Sequence, residues 1–183
     1  MRLEIIDHIS DPGTPGKPND DAFCWTDGTM AAVFDGATGL GDGLIFPHAG
    51  SDAAWLAQLA ARIFPMHGID AAVGDIVRDV AGEARANVEA VVALDSLPRF
   101  AWPTSGFEMA RLRDGVMELS GLGDCCAYVL DPDGVLITHT AMPSSREVEM
   151  ASARRMLDAA GGFGPGGGIT REGATMEAMR RGR

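Results

Sequence analysis

Three carboxylates frame the most chemically suggestive stretch of this chain. Asp20 and Asp21 precede an apolar run, Ala22-Phe23-Cys24-Trp25, and Asp35 follows a second, Ala31-Ala32-Val33-Phe34. Asp27-Gly28 separates the two runs, and Asp-Gly in that setting is a strong hairpin signal. With a two-residue turn Asp20 lies directly opposite Asp35; a one-residue bulge puts Asp21 there instead. Either register gathers three like charges at the open end of one hairpin, which destabilises a sheet. A cation between them, or a proton on one of them, relieves the repulsion. A plainer reading stands beside this one: Asp20 and Asp21 cap the preceding loop and Asp35 starts an Asp-Gly turn.

The charge balance is compatible with both readings. The chain of 183 residues has a formal net charge of −11, which argues against a nucleic-acid partner, since such a partner calls for a basic face. In residues 1–60 the acids are opposed only by Arg2 and Lys17. Such an excess serves as a solvated, solubilising face or as a source of oxygen ligands for a hard divalent cation. Cys24, Cys125 and Cys126 are odd in number and two are adjacent, so no disulfide framework is implied. No apolar run approaches signal-peptide or membrane-span length. A reduced, cytoplasmic setting without membrane contact is the expectation.

The elements that must position the carboxylates follow from periodicity. The length predicts one domain. Residues 2–9 read as a short strand, 10–20 as a Pro- and Gly-rich loop, and 21–26 and 29–35 as the hairpin. Ser51 or Asp52 caps a helix running to Ile63, and a second helix is expected from about Asp70 to Leu94. After a linker over 95–104, residues 105–139 read as a three-strand meander, with 135–140 as a fourth strand. A helix is expected over 146–160, a flexible Gly-rich loop over 161–168, and a short helix or frayed tail over 170–183. Helices come in blocks rather than alternating with strands, which favours an α+β fold with antiparallel sheets.

Asn19-Asp20-Asp21-Ala22-Phe23 followed by Ala32-Val33-Phe34-Asp35-Gly36 resembles the opening signature of the metal-dependent protein phosphatases, the type 2C or PPM family. Thr104-Ser105-Gly106 and Gly121-Leu122-Gly123-Asp124-Cys125-Cys126-Ala127 are similar to the family's later strand and Gly-Asp segments. The likeness covers roughly residues 1–140. It implies an αββα sandwich of two antiparallel sheets flanked by helices, incomplete here at its C-terminus. It also implies phosphomonoester hydrolysis on phosphoserine or phosphothreonine of a protein substrate, with Mg²⁺ or Mn²⁺ activating a water. By the same resemblance Asp35 bridges two metal ions and Gly36 offers its backbone carbonyl. Asp20 and Asp21 orient metal-bound waters, and Asp124 reaches an additional ion.

The chain also departs from the pattern. Ala37 stands where many members carry a histidine that protonates the leaving group. Gly16 stands where an arginine grips the phosphate, leaving neighbouring Lys17 as a candidate point charge. The family's two C-terminal metal aspartates have no counterpart after residue 140. These departures give the alternative expectation: an inactive phosphatase-like binding module, or a truncated gene product. An unfinished sheet also exposes edges through which copies could self-associate. Of the remaining candidates, His8, His48, His67 and His139 are scattered, and each is expected at the surface or a strand end. Cys125 and Cys126 are expected to pack on alternate faces of a strand.

Overall fold

The computed structural model describes residues 2–141, together with 150–151, 154–155, 158, 176–177 and 179–180. The hairpin at its centre joins β1 (Asp21–Thr26) to β2 (Met30–Ala37). Its loop holds three residues rather than two: Thr29 N–H donates to the Thr26 carbonyl at 3.1 Å and Gly28 sits at φ 79°. The extra residue selects the bulged alternative, so Asp21 pairs with Asp35 and Asp20 falls just outside the ladder.

β3 (Thr104–Arg113) adds to β2 and β4 (Val116–Leu122) adds to β3, all antiparallel, giving the order β1-β2-β3-β4. Alternation divides this sheet into two unlike faces. Cys24, Ala32, Phe34, Phe107 and Met109 are buried on one face under the helices α1 (Asp52–Ile63) and α2 (Val73–Glu89). Phe34 meets Phe64 edge-on at 4.8 Å, and Phe64 meets Phe107 at 5.2 Å. Each such pair contributes about 0.5–1.5 kcal/mol beyond area burial.

The expected meander is split between two sheets. β5 (Cys126–Leu130) and β6 (Leu136–Thr140) form a separate antiparallel hairpin. The cause is local: Gly123, at φ 90°, and Asp124 turn the chain away from β4 before a further partner strand can form. Among the described residues the molecule is therefore α+β with two antiparallel sheets.

Two further expectations change. Residues 2–9 form no strand; Leu3 makes one isolated bridge to Gly28. Asp7 and His8 interrupt the apolar residues, and Ile6 breaks their odd-numbered alternation, so no single face would bury them. Ile6 and Ile9 are almost fully exposed. The second helix is shorter than 70–94. It ends at Glu89, before Val91 and Val92, whose branched side chains lose rotamer freedom in a helix. Ala71, ahead of its start, is held instead by Arg111, whose Nη1 donates to the Ala71 carbonyl at 2.6 Å.

Toward the C-terminus, Met150, Ala151, Arg154, Arg155 and Asp158 are helical, as are Met176, Glu177, Met179 and Arg180. Arg180 anchors its turn to the first half of the chain, donating from Nε to the Leu40 carbonyl at 2.8 Å and pairing with Asp42. The Gly-rich stretch over 161–168 lies outside the described residues.

Candidate functional site

Two devices fix the mouth of the β1–β2 hairpin. Asn19 accepts the Asp21 N–H on its side chain at 3.0 Å and donates from Nδ2 to Ser10 Oγ at 2.6 Å. The loop is thus closed by Asn19 rather than by either aspartate. Gly36 then donates its N–H to the Asp20 carbonyl at 3.1 Å. A Cβ on Gly36 would stand 2.5 Å from that carbonyl oxygen and 2.7 Å from the carbonyl oxygen of Ala53. Only glycine lets β2, the Asp20 backbone and the first turn of α1 meet here.

That first turn is itself anchored. Ser51 caps α1, its Oγ accepting from the N–H groups of Ala53 and Ala54. Asp52 is buried and accepts from Ile45 and Phe46 N–H at 2.8 Å each. Its carboxylate therefore ties the 38–46 loop to the helix and belongs to the scaffold.

On the face opposite the helices, β1 presents Asp21, Phe23 and Trp25, and β2 presents Asp35, Val33 and Ala31 in register with them. These residues form the floor of an open cleft of about 780 Å³. Ile5 and residues 7–11 wall one side of it, and Glu108, Cys125 and Ala127 also line it. Asp35 holds its proton more tightly than an ordinary carboxyl, first through partial burial and then through the negative charges of Asp21, Asp124 and Asp20. The charges that the sequence placed together are therefore felt together at one carboxyl. Oδ1 of Asp20 is buried without a hydrogen-bond partner.

The other expected site residues are placed as follows. Gly36 is buried beneath the carboxylates. Asp124 is exposed at the β4–β5 turn, its charge acting on Asp35. Lys17 is exposed on the 10–20 loop and does not line the cleft. Burial and the charges of Asp35 and Asp124 push the Cys125 thiol up to about 11. Among the described residues no group of three or more His, Cys, Asp or Glu side chains is arranged to hold a metal ion.

The sequence reading missed Glu108 and the partner that His139, at the expected strand end, finds in it. Glu108 lies in the middle of β3, opposite Val33 on one side and Gly121 on the other. Its side chain is 3% exposed, and Oε1 lies 2.6 Å from Nδ1 of His139 on β6. From the end of β6, His139 therefore couples the second sheet to the first. Oε2 of Glu108 is buried and has no partner. A Cβ on Gly121 would stand 2.1 Å from that oxygen, so the glycine makes room for the carboxylate. The visible signal was one charged residue inside the apolar stretch Phe107-Glu108-Met109-Ala110.

Comparison of the chain with protein-family models, curated proteins and solved structures finds no significant match.

Proposed function

We propose that this protein is a metal-dependent phosphomonoesterase acting on phosphoserine or phosphothreonine in proteins. The observation that carries the reading is the register that sets Asp21 opposite Asp35 at the mouth of the hairpin, with burial first and then the charges of Asp21, Asp124 and Asp20 raising the proton affinity of Asp35. The order and spacing of the segments resembling the type 2C phosphatases support it, and so does the pairing of two antiparallel sheets with helices on an outer face.

The donor chemistry fits Mg²⁺ or Mn²⁺: these are hard oxygen ligands, mutually repulsive without a cation, and one buried oxygen of Asp20 lacks a partner. Asp35, Asp21, Asp20, Asp124 and the Gly36 carbonyl are the groups that would hold such ions, with waters completing the coordination. Bound there, the ions would supply an acidified water as nucleophile and neutralise phosphate oxygens.

The chain's own contribution is positioning. The Asp21–Asp35 pairing fixes two carboxylates at one level of the sheet, and Gly36 locks that level to α1. Lys17, the expected point charge for the phosphate, stands on the neighbouring loop outside the lining of the cleft and is not assigned that role. The cleft gives a peptide access along the floor of β1 and β2.

One contrary observation favours a second reading. Ala37 offers no proton to a leaving group. An inactive module that binds a phosphoprotein accommodates that residue. Hydrolysis of an aryl phosphate with Mn²⁺ separates the two. Turnover lost on Asp35→Asn supports the enzyme; no turnover by well-folded protein that still binds a phosphopeptide supports the module.

A further inference from the structure

We infer that the cleft takes its phosphopeptide as an added strand. The peptide pairs main chain to main chain with the free edge of β5, lies over β2, and sets an apolar residue two positions before the phosphoresidue against Val33. This deepens the phosphoprotein reading and rests on it.

The two sheets leave one strand position open. β5 packs against β3, and β6 against β4. The first sheet continues from β3 to β2 and β1, whereas the second stops at β5. Neighbouring strands lie about 4.8 Å apart in either sheet, so the next place beyond β5 falls over β2. Among the described residues no strand or main-chain hydrogen bond occupies the outer edge of β5, and Val33 on β2 is 48% exposed. The place over β1 is taken: the His8 ring lies 4.5 Å from that of Phe23 and 5.9 Å from that of Trp25. A strand edge with unpaired N–H and C=O groups is a template for another strand. An extended peptide added there gains affinity from main-chain hydrogen bonds and selectivity from its alternate side chains.

The register of β5 over the first sheet sets the spacing. A Cβ on Gly106 would stand 3.7 Å from Cys125 Sγ, and Gly106 pairs with Asp35. Two residues on, Ala127 pairs with His139, whose Nδ1 meets Glu108, and Glu108 pairs with Val33. β5 therefore runs in step with β3, away from the carboxylates. A peptide beside it faces Asp35 at the level of Cys125 and Val33 at the level of Ala127. Side chains on one face of a strand recur every second residue, so a phosphoresidue at the first level puts the residue two away at the second. Antiparallel pairing is the more stable per residue. It makes the peptide run toward the carboxylates and puts that residue before the phosphoresidue.

Charge selects the occupant. Asp7, Asp11, Asp21, Asp35 and Glu108 line the cleft, and no Lys or Arg is among the described residues lining it. A second copy of a chain with net charge −11 is repelled there. A phosphopeptide with uncharged flanks carries its negative charge only at the phosphate, where Asp21 and Asp35 would hold a cation to meet it.

The test is calorimetric titration of the intact chain with Mn²⁺. The ligands are synthetic phosphoserine peptides carrying Leu or Ser two residues before the phosphoserine, and Leu peptides N-methylated at one amide at a time. The Leu peptide should bind about tenfold tighter than the Ser peptide, as expected for largely burying one Leu side chain. N-methylation removes a donor, so it should weaken binding about tenfold at alternate amides and leave the amides between them unaffected. The Leu advantage should fall away in Val33→Ser. Equal affinity for the Leu and Ser peptides overturns the inference, as does loss at every amide or at none, and as does a Leu preference unchanged in Val33→Ser. Sedimentation with and without peptide tests the other occupant: a dimer that the peptide dissociates means that a second copy fills the cleft, and overturns the inference too. Turnover is scored separately. Alternating loss of binding without hydrolysis defeats the enzyme reading and leaves this one standing, whereas hydrolysis indifferent to Leu and to N-methylation does the reverse.

Discussion

Asp21 sits directly opposite Asp35 across the β1–β2 ladder, and both side chains line the same cleft. Opposed like charges in a sheet work against folding, so this pairing has opposite consequences for stability and for cation binding. In metal-free protein at neutral pH, Asp35→Asn should raise the melting temperature. The sign follows from linkage. A carboxyl whose folded proton affinity is raised costs stability once ionised, and recovers it as pH falls through the raised folded value toward the ordinary 3.8. The advantage of Asn should therefore fade on acidification through that window. Thermal melts across pH check it, and a destabilised variant at neutral pH would refute it.

The same substitution should remove Mn²⁺ binding. A direct ligand should cost at least the roughly 10–100-fold lost with an outer-shell partner. Calorimetric titration with Mn²⁺ reads this directly, and an unchanged affinity would sink the proposed metal role of Asp35.

Gly36→Ala tests the junction beneath the carboxylates. The new Cβ would fall 2.5 Å from the Asp20 carbonyl oxygen and 2.7 Å from that of Ala53. Both obstacles are backbone, so the strand or α1 must shift, at about 2–3 kcal/mol. Urea denaturation should show the loss, with Gly43→Ala as the control. A Cβ at Gly43 meets nothing within 4 Å.

Acid sensitivity should also come from the far edge of the sheet. Arg111 is buried and donates from Nη2 to Glu118 Oε2 at 2.8 Å, while Arg113 pairs with the other oxygen. The Arg111 hydrogen bond chiefly holds the Glu118 carboxyl below its usual value. That contribution is complete above the ordinary carboxyl value of 4.5 and is lost as pH falls through the lowered one. Glu118→Gln should flatten this part of the stability profile at acid pH. An identical acid limb in the variant would contradict the assignment.

Thiol reactivity offers an independent check of the second sheet. Cys24 and Cys125 are both pushed up to about 11 by burial, and Cys126 is exposed. Because the thiolate is the reactive form, iodoacetamide at neutral pH should label Cys126 well before the other two. Peptide mapping by mass spectrometry reads the order.

What could be read from the sequence was what depends on neighbours along the chain. The hairpin, the Ser51 cap and the grouping of Asp20, Asp21 and Asp35 follow from turn chemistry and alternation over at most about fifteen residues. The choice between Asp20 and Asp21 opposite Asp35 hung on a single loop residue, which Asp-Gly alone does not fix. The Glu108–His139 pair was hidden because it joins residues 31 positions apart through the meeting of two sheets. The failed strand at 2–9 shows the reverse error: apolar residues without a face to cover do not enter a ladder.

Glu108 and Gly121 have a consequence for descent. They are direct ladder partners, and a Cβ at position 121 would overlap the carboxylate of Glu108. Position 121 cannot gain a side chain while the Glu108 carboxylate stays where it is. In homologues that keep a long acid at 108, position 121 should be glycine, and those with a larger residue at 121 should carry a shorter side chain at 108. The two sites form one heritable unit, and their joint variation across related chains would trace where the buried carboxylate was gained or lost.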